Sequence, residues 1–243
     1  MLIEGNPRFE TTCWSVVLAA GSNSDRAEEA LATLCKTYWF PVYTFIRRWG
    51  HTPDDAADLT QGFFTELLRR NDFQSIDPSR GRFRSFLLAC CRNYLCKDRR
   101  HKAVRGPAPF SIDAIDAERR YTIEPTDTLT PEQIFDRRWA LSILEGALNA
   151  LRDDYHRSGK TELFDRLEPT LAGESLPGGF LAVAESLGMS EGAVQVAAHR
   201  LRKRYRDAIR ALIAATVDDP ATVDEELRDL FTALVPVDSR IAR

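Results

Sequence analysis

Apolar residues recur at Leu31, Leu34, Tyr38, Val42, Phe45 and Trp49 in steps of three and four, a spacing that predicts one face of an amphipathic helix. Gly50 is placed to stop it. Thr52-Pro53-Asp54-Asp55 then supplies an N-cap, a proline at the first helical position and early acids for a second helix running to about Arg70. Its expected buried face is Ala56, Leu59, Phe63 and Leu67, which leaves Asp58, Gln61, Phe64 and Leu68 on another side. Residues 71–81 contain Asp77-Pro78 and Gly81, the chemistry of a loop. A third helix is expected from near Arg82, with Phe83, Phe86, Leu87, Cys90 and Tyr94 on its apolar side and Ser85, Arg92 and Arg99 opposite.

Between Arg105 and Thr130 the periodicity lapses into Gly106-Pro107, Pro109, Pro125 and scattered acids, which reads as a linker with room for a short helix around 112–121. Thr130-Pro131-Glu132 looks like another helix start, followed by Phe135, Trp139, Ile143, Leu144, Ala147 and Leu151. Leu163, Phe164, Leu167 and Leu171 suggest a short helix interrupted by Pro169. Phe180–Leu187, then Gly188-Met189-Ser190, then Glu191 onward has the order of a helix-turn-helix. The fold class expected is therefore all-α: two small helical domains joined by a linker, the second containing the helix-turn-helix. The expected boundaries are an N-terminal segment 1–25, a first domain 26–105, a linker 106–130, a second domain 131–215 and an acidic extension 216–243.

Composition sharpens this picture at a few points. The chain has 243 residues, 44% hydrophobic and 28% charged, which excludes disorder throughout. Its longest apolar runs, 14–21 and 86–91, fall well short of the roughly 18 residues a membrane span needs. Glu4 and Glu10 stand where a signal peptide needs net positive charge, so the expectation is a cytoplasmic protein without membrane insertion. Five cysteines, Cys13, Cys35, Cys90, Cys91 and Cys96, fit no disulfide framework. A zinc site from Cys90, Cys91, Cys96 and His101 is disfavoured because Cys91 and Cys96 project about 140° apart on a helix.

The net charge of −3 conceals a segregation of signs. Arg92, Lys97, Arg99, Arg100, Lys102 and Arg105 face one acid, Asp98, and Arg200–Arg210 holds six cations against Asp207. Asp218–Asp229 reverses the sign. Lys/Arg clusters favour phosphate contact by counterion release, although any single run can equally be a solvated helix face. On the last strongly basic helix Val194, Ala197, Ala198, Leu201 and Tyr205 make an inward stripe, while Glu191, Gln195, His199, Arg202 and Arg206 face outward. Gln and Arg there can read base edges, with the more C-terminal cations on phosphate, whereas a lone His199 is more often a plain surface residue. The chain lacks G-x-x-x-x-G-K-[ST], G-x-S-x-G and H-E-x-x-H, and its carboxylates have no distinctive catalytic spacing, so neither enzymatic activity nor a cofactor or metal is expected. Asp54, Asp55 and Asp58 lie at a helix N-terminus, where dipole and capping effects explain them more simply than a metal.

The run Asp55-Ala56-Ala57-Asp58-Leu59-Thr60-Gln61-Gly62-Phe63-Phe64, the basic helix of 82–105, a linker and a C-terminal helix-turn-helix together resemble bacterial RNA polymerase sigma factors of the extracytoplasmic-function type. The similarity covers about residues 26–105 and 131–215, and YWFPVYTFIRRWGH, GRFRSFL and VAAHRLRKRYR look like the group abundant in planctomycetes. Gly62 departs from the acid often found in that motif, and Gln195, Val196 and Ala197 replace residues that are commonly basic or hydroxyl-bearing. The resemblance implies promoter-specific transcription initiation in partnership with core RNA polymerase, through its beta-prime clamp and beta flap, and with promoter DNA. An anti-sigma protein is a further implied partner. It would place Asp58, Gln61, Phe64 and Leu68 on the polymerase. Arg80, Arg84, Arg92, Asn93, Lys97, Arg99 and Arg100 would engage minus-ten DNA, which must be opened. Gln195, His199, Arg200, Arg202, Lys203 and Arg206 would read minus-thirty-five DNA.

Two alternatives stay open on the residues themselves. Phe64 fits a partner surface or a core position equally by spacing. A helix-turn-helix regulator with a helical partner-binding domain would also bind DNA, without needing polymerase. The acidic tail, with Leu227, Phe231 and Leu234, is expected either to pack on the second domain or to cover the Arg200–Arg210 patch.

Overall fold

Seven residues between Tyr38 and Ile46, namely Tyr38, Trp39, Phe40, Val42, Tyr43, Phe45 and Ile46, are buried, more than one face of a helix can account for. The helix that carries them, α1 (Asp25–Arg48), is therefore surrounded rather than laid on a surface. That packing holds it helical through Pro41, which lacks the N–H of an ordinary turn; the Thr44 hydroxyl donates to the Pro41 carbonyl at 2.9 Å. The computed structural model describes residues 25–69, 82–98, 114–123, 129–217 and 219–235. Among these the chain is mostly helical and holds no strand, and no helix is long and apolar enough to cross a membrane. The expected loop 71–81 and leading segment lie outside the described residues, apart from Asp25.

Two compact units form, one from residues 1–142 with 213–243 and the other from 143–212. In the first, Gly50 at φ +92° ends α1, and Thr52 caps α2 (Pro53–Arg69) by accepting from the Asp55 N–H at 3.2 Å. Thr52 also donates to the Asp55 carboxylate at 2.9 Å, the capping role expected of these acids. Ala56, Leu59, Phe63 and Leu67 are buried as their spacing predicts. Phe64 is buried too, at 2% exposure, so the exposed aromatic is corrected to a core residue: its ring meets Phe63 edge-on at 5.4 Å.

Helix α3 (Phe83–Asp98) turns Phe83, Leu87, Cys91 and Leu95 inward. The expected stripe through Cys90 is thus one position off, and Phe86, Cys90 and Tyr94 sit at its margin, half-buried. Burial pushes the Cys91 thiol far up, as suits an inert core cysteine. Part of the expected linker is structural: α4 (Ala114–Ile123) buries Ala117, and its Glu118 takes a two-pronged bond from Arg47 at 2.9 and 2.7 Å and a third from Tyr43 at 2.6 Å. The start of α5 (Pro131–Arg157), closed by reciprocal Thr130–Gln133 bonds, adds Phe135 and Trp139 to this core.

The second unit takes Leu151 and Tyr155 from α5 and Phe164 and Leu167 from α6 (Thr161–Leu167), which tightens into a 3-10 turn at Glu168–Leu171 around Pro169. Val183 and Ala184 of α7 (Gly179–Leu187) and Val194, Ala198 and Leu201 of α8 (Glu191–Ala214) complete it.

Gly62 lies where α2 passes close to a side chain of α3. A Cβ there would run into the Tyr94 hydroxyl, whose ring packs edge-on against Phe63 at 5.8 Å. Gly62→Ala alone must displace Tyr94 and so forfeits much of the ~1 kcal/mol that alanine ordinarily gains over glycine in a helix. In a Tyr94→Phe background the same change is expected to stabilise by ~0.5–1 kcal/mol more, measured as a double-mutant cycle by urea unfolding. Equal effects in both backgrounds would contradict this packing.

Candidate nucleic-acid interface

In the second unit the turn between α7 and α8 is built by local chemistry. Gly188, at φ +63°, closes α7, and the Met189 N–H returns to the Ala184 carbonyl at 2.9 Å. Ser190 then opens α8, its hydroxyl accepting from the Ala193 N–H at 3.3 Å. With Val194, Ala198 and Leu201 fully buried, the opposite side of α8 is fixed outward, and Gln195, His199, Arg200, Arg202, Lys203 and Arg206 are all exposed. Two of these have local partners: Gln195 donates to Glu191 at 3.1 Å, and Arg202 reaches the Thr170 carbonyl at 3.4 Å. Arg204, equally cationic, is used structurally. It pairs with Asp154 and lies 5.3 Å over the Tyr155 ring. Beside this surface is a groove of about 860 Å³ lined by Leu163, Leu187, Met189, Val196 and Ala197, with Lys160 and Arg200 among its polar residues. Met189 and Val196 are exposed apolar side chains, a feature the charge pattern of the sequence did not single out.

In the first unit, Arg92, Asn93 and Lys97 of α3 are exposed, and Arg92 pairs with Glu132 at the start of α5. Asp58 on α2 is exposed and Gln61 half-buried; both take part in polar interactions. The side chain of Leu68, and Arg80, Arg99, Arg100 and His101 altogether, lie outside what is described.

Arg84 departs from expectation. It is 8% exposed, and its guanidinium lies 4.7 Å over the Trp139 ring. It bonds Asp136 of α5, Glu226 at 3.0 Å and Asp229 at 2.6 Å, the last two on α9 (Val223–Leu234), the helix of the acidic tail. Arg82 joins them, its Nε 2.9 Å from Glu226 Oε1 and its Nη2 3.5 Å from Glu225, with a further pair to Asp229. Glu226 Oε1 is buried without an aligned hydrogen bond, so its pairing with Arg82 is one of charge and distance. α9 thus belongs to the first unit, where the expectation had it packing on the second domain, and three of its acids, Glu225, Glu226 and Asp229, meet Arg82 and Arg84. The apolar face is displaced as well. Val223 and Leu230 are buried, Leu227 and Leu234 only partly, and Phe231 is 55% exposed. The acidic run was visible in sequence, but its partners stand some 145 residues away, beyond any local signal.

Among the described residues no cluster of His, Cys, Asp or Glu is arranged to hold a metal.

Burial raises the proton affinity of Glu226 and of Asp136, and the neighbouring guanidinium groups offset this only in part. A carboxyl with a higher pKa folded than unfolded binds protons more readily in the native state. Its contribution to stability therefore increases as pH falls from neutral towards the ordinary carboxylate range, and is lost as pH rises through the folded pKa. Glu118 runs the other way, since its bonds to Arg47 hold its carboxyl below the usual range. The clean quantity is thus a difference: the stability of wild type relative to Glu226→Gln should rise on going from about pH 7 to about pH 5. Calorimetric melting at both pH values measures it, and an unchanged or falling difference would count against the buried carboxylate.

No protein-family model, curated protein or solved structure matches the chain.

Proposed function

We propose that the protein is a dissociable transcription-initiation subunit of the sigma-factor kind, which joins core RNA polymerase and directs it to promoter DNA. The observation that carries the reading is the division of α8, whose buried Val194, Ala198 and Leu201 hold six polar or cationic side chains outward directly after a tight turn. That is the arrangement a helix-turn-helix needs to place a helix in the major groove. Gln195 and Arg202 are suited to base edges, and Lys203 and Arg206 to phosphate. Arg92, Asn93 and Lys97 supply a second polar and cationic surface, on α3, for a strand of the opened minus-ten element. Their assignment to DNA rests on the resemblance of GRFRSFL and its flanks to sigma factors.

Asp58 and Gln61 remain candidates for the polymerase clamp contact. Phe64 is set aside as a direct contact because it is buried, and Arg84 is covered by carboxylates in the free chain. The groove at Leu187, Met189 and Val196 offers the second unit an apolar partner surface, for which the beta flap is the candidate. An anti-sigma protein is a further candidate partner, and the site of action would be the cytoplasm, on the nucleoid when in holoenzyme. The competing reading is a helix-turn-helix regulator, favoured by the same α8 surface.

Reconstitution with cognate core polymerase and a genomic DNA library separates the two. The expected result is specific transcript starts, abolished by Asp58→Arg/Gln61→Ala although the variant still binds duplex DNA. DNA binding with no polymerase association would favour the regulator. On duplex DNA, Lys203→Ala and Arg206→Ala should each reduce the salt slope of log K by ~0.9 for every phosphate that the variant leaves unneutralised.

A further inference from the structure

Two guanidinium groups at the start of α3, those of Arg82 and Arg84, are held by Glu225, Glu226 and Asp229 of the chain's own C-terminal helix. We propose that α9 is a cis-acting polyanion mimic, which occupies Arg82 and Arg84 and is displaced by the phosphates of a DNA strand, so that the free chain is held in a low-affinity state. This rests on reading the exposed side of α3 as a nucleic-acid surface, and adds a regulation of that same surface.

Three features point there. Carboxylate and phosphate are interchangeable partners for guanidinium, since both offer paired oxygens to its planar fork of N–H donors. Glu225, Glu226 and Asp229 bring such oxygens to the residues that open the helix bearing Arg92, Asn93 and Lys97. The hold on α9 is also more ionic than apolar. Val223 and Leu230 are its buried aliphatic anchors, whereas Phe231 and Val235 at its far end are exposed. Finally, the cluster has more acid than base: with Asp136, four carboxylates surround two guanidinium groups, and Glu226 is 1% exposed. Desolvation of such a cluster cancels much of its Coulombic gain, so exchanging its carboxylates for phosphates changes the free energy little. Until that exchange, the surplus negative charge repels a strand approaching α3.

The experiment uses the full-length chain, a short fluorescein-labelled single-stranded DNA, and the variant Glu225→Gln/Glu226→Gln/Asp229→Asn, which keeps Val223 and Leu230. The variant is expected to bind the strand about ten-fold more tightly, with a salt slope of log K steeper by ~1.4 for two more phosphates neutralised on a single strand. In the unaltered chain, adding the strand should speed amide hydrogen exchange in α9 while slowing it in α3. This second measurement decides the matter if the variant does not fold. Binding that is weakened by Arg92→Ala/Lys97→Ala, with unchanged exchange in α9 and no gain in a folded variant, would overturn the cover and leave the α3 reading standing. Binding insensitive to Arg92→Ala/Lys97→Ala would overturn the α3 reading and the cover with it.

Discussion

The arrangement of the first unit turns on one guanidinium. Arg84 lies over Trp139 and bonds carboxylates on α5 and α9, so three segments distant in sequence converge on one buried cation. A buried arginine left unpaired is strongly destabilising, whereas a fully paired one is close to neutral against an apolar replacement. Its effect is therefore to specify: it selects the seating of α9 in which Glu226 and Asp229 meet it, and that seating in turn brings Glu225 to Arg82. The core of the same unit is aromatic. Phe135 meets Phe45 edge-on at 6.4 Å, and Tyr38 meets Phe83 at 5.4 Å.

The second unit is organised by a different constraint. Its core is aliphatic and small on the α8 side, with Ala198 between Val194 and Leu201, which allows the helix close approach while its cations remain in water. Not every cation on α8 is free for a ligand. Arg204 is tied to Asp154 and Tyr155 and stabilises the unit, so the basic run of the sequence divides into structural and available charges. That division, more than the count of six, decides which residues can meet phosphate.

The two surfaces also differ in what limits them. On α8 the outward residues follow from helical periodicity and need only the inward stripe to be fixed. On α3, Arg84 is removed from the surface by contacts its local sequence does not encode, and Arg92 is partnered by Glu132. The tail is the clearest case. An acidic amphipathic helix was legible in residues 216–235, but local pattern carried no information that Glu225, Glu226 and Asp229 meet Arg82 and Arg84.

By itself the sequence determined the helices and most of their inward faces, because periodicity, N-caps such as Thr52 and Thr130, and glycine stops such as Gly50 and Gly188 act within a few residues. It determined the outward face of α8 for the same reason. Tertiary structure alone decided that Phe64 is core, that α4 and Glu118 are part of the first unit, that Gly62 makes room for Tyr94, and that Glu226 closes on Arg84. Each of those depends on what lies across a contact between segments remote in the chain, and a side chain's spacing within its own helix does not contain that information.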